Sequence, residues 1–193
     1  MGAVATDTAL RDALRRVLTP PDEVPQPDVA RPAAVLLLLV EDPEPWIVFT
    51  KRTEDLPRHP GEISFPGGMR AAGDADLLAT ALRESHEELG IAPDAVDVLG
   101  GLSPLQTFTT GTAIVPFVGT LAAGPVFTAN PAEIAEVLEF PVHRLLDVER
   151  PMAWSRDDRT YWGHVYELDG HTIWGATARI LNEFLELYRK EFT

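Results

Sequence analysis

Apolar residues Leu10, Leu14, Val17 and Leu18 recur at helical spacing from Asp7 to Leu18, and Pro20 with Pro21 ends the pattern, so the chain opens with a predicted short amphipathic helix. Residues 20–32 are dense in proline and acid, which disfavours both helix and central strand and reads as an extended connector. Two leucine-rich or β-branched runs, 33–40 and 46–52, flank a turn-forming stretch at 41–45 and predict a hairpin. A short strand is expected at 62–65, followed by a turn at Pro66-Gly67-Gly68. Leu78, Leu82, Ser85 and Leu89 share one face of a helix that Asp74 or Asp76 can cap and Gly90 can end. Strand patterns return at 96–99, 112–121, 161–168 and 171–174, with a short helix at 141–146 and a final amphipathic helix at 176–188. Strands and helices interleave without a strict βαβ rhythm, which predicts a mixed sheet flanked by helices. The expected organisation is a helix and connector over 1–32 and one α/β domain over 33–193.

The longest apolar run, residues 33–40, is far shorter than the roughly 20 residues a membrane-spanning helix needs. The charged residues of the first helix also interrupt any signal-like apolar core, so an intracellular, cytoplasmic protein is expected. There are no cysteines, which removes disulfides, thiolate metal sites and a cysteine nucleophile together. Any metal must be held by oxygen or imidazole. With 30 acidic against 16 basic residues the formal charge is −14, which argues against nucleic acid or an anionic membrane as partner. An anionic small-molecule substrate would require local basic residues or divalent cations.

Phosphate loops of the Gly-x-x-x-x-Gly-Lys type, dinucleotide fingerprints and Gly-x-Ser-x-Gly elbows are all missing from the sequence. His86-Glu87-Glu88-Leu89-Gly90 begins like a zinc-protease helix, but Gly90 stands where the second histidine belongs. What stands out is Arg83-Glu84-Ser85-His86-Glu87-Glu88. At about 100° per residue, Glu84, Glu87 and Glu88 fall within an arc of roughly 100°. Taken alone such a run reads first as a solvated helix face, and with its surroundings it also suits Mg²⁺ or Mn²⁺, which take hard oxygen ligands. Gly67 and Gly68 lie just ahead, where backbone N–H groups can meet an anion. Arg83 can pin a neighbouring carboxylate through a bidentate pair.

Gly68, Arg83, Glu84, Glu87, Glu88, Gly90 and Ile91 resemble the Nudix box, Gly-x5-Glu-x7-Arg-Glu-U-x-Glu-Glu-x-Gly-U, with U a bulky aliphatic residue. Asp74 occupies the first glutamate position, eight residues rather than seven separate it from Arg83, and Ser85 replaces an aliphatic residue. Upstream, Thr50, Arg52, Thr53, Arg58, Gly61 and Phe65-Pro66-Gly67-Gly68 resemble the accessory signature of the coenzyme A pyrophosphatase branch, with Arg58 one place late. The resemblance implies a Nudix-like α/β/α sandwich with a mixed β-sheet. It also implies Mg²⁺- or Mn²⁺-dependent attack of water on the diphosphate of coenzyme A or acyl-CoA, releasing 3′,5′-ADP and a 4′-phosphopantetheine product. On this reading Glu84, Glu87 and Glu88 hold metal, Arg83 acts through electrostatics and orientation, and Arg52, Arg58, Gly67 and Gly68 contact the nucleotide substrate. Other nucleoside diphosphate derivatives such as ADP-ribose, or a non-catalytic nucleotide-binding module, are the alternatives.

Several further residues carry competing readings. His59 and His86 lie near the motif but suit local structural hydrogen bonds better. Glu133, Glu136 and Glu139 form a later acidic segment from which a general base can come, or which is simply solvated. Trp154, Trp162 and Trp174 can line a pantetheine channel or serve packing. The N-terminal helix can pack on its own domain or on another subunit of a homodimer.

Overall fold

The computed structural model describes residues 3–30, 32–41, 44–57, 59–107, 111–122, 124–156 and 159–192, with side chains except those of 3–7, 154–156 and 159. The elements in order are α1 (Ala3–Val17), β1 (Pro32–Glu41), β2 (Pro45–Arg52), β3 (Ile63–Ser64), β4 (Gly67–Met69), α2 (Leu77–Leu89) and β5 (Asp97–Gly101). They continue as β6 (Leu105–Gln106), β7 (Ala113–Leu121), β8 (Ile134–Pro141), α3 (Val142–Val148), β9 (Glu149–Arg156), β10 (Arg159–Leu168), β11 (His171–Ile173) and α4 (Gly175–Phe192).

The main sheet runs β3-β2-β1-β7-β5, with β4 also on β1, β6 on β7 and β8 on β2. β1 and β7 are parallel, while β1 pairs antiparallel with β2, Leu38 opposite Val48. The sheet is therefore mixed, as the interleaved pattern predicts. Strand alternation sorts its side chains to two faces. Ala34, Leu36, Leu38 and Val40 of β1 pack with Leu77, Ala81 and Leu89 of α2. Leu37 and Leu39 join Ile47 and Phe49 of β2 against Ile180, Leu181, Phe184 and Leu185 of α4. A layer of helix on each face gives the α/β architecture. β9, β10 and β11 form a separate three-stranded antiparallel sheet.

Leu10, Leu14 and Leu18 bury themselves in the α4-side core, so the N-terminal helix packs on its own chain. Arg11 Nε lies 3.1 Å from Glu41 Oε1 and Arg15 Nη2 lies 2.6 Å from Asp97 Oδ1, while Thr19 and Gly101 exchange two backbone hydrogen bonds. The following proline-rich stretch is also fastened down. Val24 is buried in the α2-side core, and Gln26 Oε1 accepts from the Leu77 N–H at 3.0 Å, at the start of α2.

Two expectations need correction. Gly67 and Gly68, read as a turn, belong to β4 and pair with Val35 and Ala34 of β1. A side chain at Gly67 would place Cβ 2.4 Å from the Ala34 carbonyl oxygen, so this strand can approach β1 only as glycine. Leu78 and Leu82 are only partly buried, because α2 is rotated to bury Leu77, Thr80, Ala81, Ser85, Glu88 and Leu89. No helix among the described residues is long and apolar enough to cross a membrane.

Candidate functional site

α2 begins where Asp76 Oδ1 accepts from the Ala79 N–H at 2.7 Å and ends at Gly90, whose φ of 72° lies in the left-handed region. These caps fix which way the acidic residues between them point. Ser85 is buried, and its hydroxyl donates to the Ala81 carbonyl at 2.7 Å, which satisfies a polar group in a place that otherwise suits an aliphatic one.

The three glutamates diverge. Glu88 turns toward the sheet, 3% exposed, and Oε2 accepts from the Gly67 N–H at 3.2 Å. Burial pushes its carboxyl up to about 7, against the lowering effects of the Gly67 N–H and the Arg52 charge. Glu84 lies against Gly68 so closely that a Cβ there would sit 2.5 Å from the carboxyl carbon. Its carboxyl is also raised, by burial first, with Arg83 opposing and the charges of Glu87 and Glu133 adding. Glu87 is the outward member, its side chain 54% exposed, and it pairs with Arg83 Nη1 at 3.1 Å.

Arg83 does pin a carboxylate, and the one it grips with two bonds is Asp74. Nε donates to Oδ1 at 2.8 Å and Nη2 to Oδ2 at 3.0 Å. Thr80 and the Ala71 N–H also donate to Asp74 Oδ2. The Arg83 guanidinium, with these donors, holds the Asp74 carboxyl well below the usual carboxylate range. Arg83 further contacts Glu84 at 2.8 Å and the Met69 carbonyl at 3.2 Å, so one side chain ties the loop ahead of α2, the end of β4 and two glutamates together. Asp74 and the fully buried Thr80 are the positions that motif reading undervalued. The signal for Thr80 is the i, i+3 spacing that sets it beside Arg83 on α2.

Arg52 reaches the site through its charge. It ends β2, where a register shift falls between Lys51 and Arg52, and its charge acts on Glu88. Among the described residues its Nε is buried without a hydrogen-bond partner. Arg58 lies outside the described residues. His59 bonds Glu62 at 2.7 Å and His86 Nδ1 sits 3.1 Å from the Ile91 carbonyl oxygen, both local contacts. Trp162 and Trp174 are exposed, and the side chain of Trp154 lies outside the description.

As the side chains stand, no three carboxylate or imidazole groups among the described residues gather into a ready-made metal cluster. The donor chemistry nevertheless fits a hard cation. Glu84 and Glu88 offer only oxygen, and magnesium commonly takes one or two carboxylates while keeping water and phosphate oxygens. Glu88 is a buried carboxylate whose close donor is a neutral backbone N–H, so added positive charge there would offset its burial.

The NUDIX domain family model matches residues 30–162. A Photorhabdus laumondii protein named as an uncharacterized Nudix hydrolase, NudL, is 36% identical over 169 residues, spanning 86% of this chain and 90% of its own. The solved structure of a MutT protein from Methanosarcina mazei has a TM-score of 0.55 at 17% identity, covering 84% of this chain and 96% of that one. The NUDIX domain of Shewanella oneidensis NrtR, solved with ADP ribose, has a TM-score of 0.52 at 15% identity, covering 86% and 90%. These last two likenesses concern the fold.

Proposed function

From the premise that this chain belongs to the Nudix hydrolase family, we propose that it hydrolyses the diphosphate of coenzyme A or an acyl-CoA to 3′,5′-ADP and a 4′-phosphopantetheine product. The observation that carries the reading is the face formed by Glu84 and Glu88 against Gly67 and Gly68, with the charge of Arg52 acting on Glu88 and its buried Nε unpartnered among the described residues. Glu84 and Glu88 would hold Mg²⁺ or Mn²⁺, with Glu87 free to join by leaving Arg83. A bound divalent cation supplies charge neutralisation of a diphosphate and lowers the pKa of a coordinated water.

The chain's own residues do the rest. Gly68 leaves room for the Glu84 carboxylate, and Gly67 orients Glu88 through its N–H. Arg83 positions the acidic turn of α2 while Asp74 keeps the guanidinium in place. Arg52 supplies the buried donor and positive charge that a phosphate requires in a chain with a formal charge of −14. The substrate choice rests on the upstream residues Thr50, Arg52, Gly61 and Phe65-Pro66-Gly67-Gly68, and Arg58 would add a second cation.

The test is hydrolysis of coenzyme A, ADP-ribose and dATP with Mg²⁺ or Mn²⁺, with products identified by mass. Preferential cleavage of coenzyme A to the two named products is expected. Preference for ADP-ribose or dATP would replace the substrate, and tight nucleotide binding without turnover would make the chain a binding module.

A further inference from the structure

Of the three later glutamates, one lies where its charge reaches Glu84 and Glu88 of α2. The Asn130 N–H donates to the Glu88 carbonyl at 2.9 Å, and the Thr128 N–H to that of Leu89 at 2.8 Å, so residues 128–130 run along the C-terminal turn of α2. The chain then turns, with the Glu133 and Ile134 N–H groups both donating to the Asn130 carbonyl. At its far end the Glu133 carbonyl accepts from the Thr53 N–H at 2.9 Å, the residue after Arg52. Glu133 is thus held between the element that carries Glu88 and the element that carries Arg52. It is half-buried, and its charge is felt at both Glu84 and Glu88.

The other two lie further along β8. Glu136 pairs with Lys51 in the β2–β8 register, is exposed, and has its carboxylate 4.0 Å from His171 Nε2. Glu139 is exposed opposite Val48.

We propose that Glu133 is the proton acceptor for the attacking water, an inference that rests on the hydrolase reading above and adds a residue outside the acidic helix. The water oxygen forms a bond to phosphorus and the bridging P–O bond breaks, its electron pair leaving with the departing phosphate. The water proton passes to the Glu133 carboxylate and then to solvent. Glu133 is carried by a turn rather than by α2, so it is placed independently of Glu84 and Glu88.

The full chain is tested on the preferred substrate of the three-compound panel, with Mn²⁺ affinity followed separately by electron paramagnetic resonance. For Glu133→Ala the account expects kcat to fall by about 100-fold or more, with KM and Mn²⁺ affinity changed by less than about threefold and kcat partly restored by added formate. Glu136→Ala is expected to stay within about threefold of the parent in every quantity, since it lies outside the reaction path. Parent-like kcat in Glu133→Ala overturns the assignment, as does a loss that formate does not rescue and that accompanies weakened Mn²⁺ binding. A parent that cleaves none of the three substrates overturns the hydrolase reading instead.

Discussion

Arg83 and Asp74, nine positions apart, are joined by two nearly equal hydrogen bonds of 2.8 and 3.0 Å, and through them the loop ahead of α2 is locked to the acidic turn. Asp74 is the short side chain at the first carboxylate position of the motif. With Thr80 and the Ala71 N–H also donating to it, the carboxylate is spent on Arg83 and on its own loop. Its place in the account is therefore to position the site.

Asp74→Asn keeps the size but loses the charge that matches the guanidinium. Loss of the paired, charge-assisted bonds is expected to cost about 2 kcal/mol in urea unfolding. Turnover should fall with it, because Arg83 is then free to draw Glu84 and Glu87 away from the β4 face. The sign follows from the lowered Asp74 pKa: this stabilisation is present above the ordinary carboxylate pKa of 3.8 and fades as pH falls below it. Unfolding of the parent and Asp74→Asn across acid pH checks this, the two converging at the acid end.

Glu88 behaves oppositely. Its folded pKa, about 7, lies above its ordinary 4.5, so the cation-free protein loses stability as pH rises between those values, by roughly 3 kcal/mol. Glu88→Gln keeps an acceptor for the Gly67 N–H and carries no charge. It should therefore be more stable than the parent at pH 8 without cation, and less able to gain stability from added Mn²⁺. Chemical unfolding with and without Mn²⁺ reads both effects.

Gly68→Ala puts a methyl group 2.5 Å from the Glu84 carboxyl carbon, so Glu84 must move. Turnover is expected to drop by about two orders of magnitude, a loss typical of displaced positioning groups. Gly73→Ala meets nothing within 4 Å and should keep parent turnover. Steady-state rates and circular dichroism of the two variants make the comparison.

Leu14 is fully buried on α1 in the α4-side core. Leu14→Ala is expected to destabilise the protein by about 3 kcal/mol. Arg15→Ala, which removes an exposed ion pair to Asp97, should cost less than about 1 kcal/mol. Thermal and urea unfolding would separate the two, and equal small effects would contradict the packing of α1 described above.

The sequence makes α2 legible nearly to the residue because both signals that bound it are local: an aspartate cap and a left-handed glycine. The hairpin of β1 and β2 is equally clear from two apolar runs and a turn. β4 is hidden because glycine has little strand preference of its own, and Gly67 and Gly68 form a strand by pairing with β1, where β1 leaves no room for a side chain at Gly67 and Glu84 leaves none at Gly68. β8 is hidden because its acidic residues are read first as charge, with exposed Glu136 ahead of buried Leu138 and exposed Glu139 between Leu138 and Phe140. Helical spacing places Glu84, Glu87 and Glu88 on one arc, but it does not say where the sheet boundary cuts that arc. The cut falls between Glu88, which is buried, and Glu87, which is exposed and held by Arg83. The placement of Glu133 between α2 and β2 depends on hydrogen bonds between segments distant in sequence, Asn130 to Glu88 and Thr53 to Glu133, which no spacing rule contains.

The most direct measurement is the mass of the products formed from coenzyme A with Mg²⁺ in ¹⁸O-labelled water, for the parent and for Glu88→Gln at equal concentration. The account predicts 3′,5′-ADP and 4′-phosphopantetheine from the parent, one of them carrying a single label, and turnover lower by orders of magnitude in the variant. Intact coenzyme A with the parent, or equal turnover by parent and variant, would contradict it.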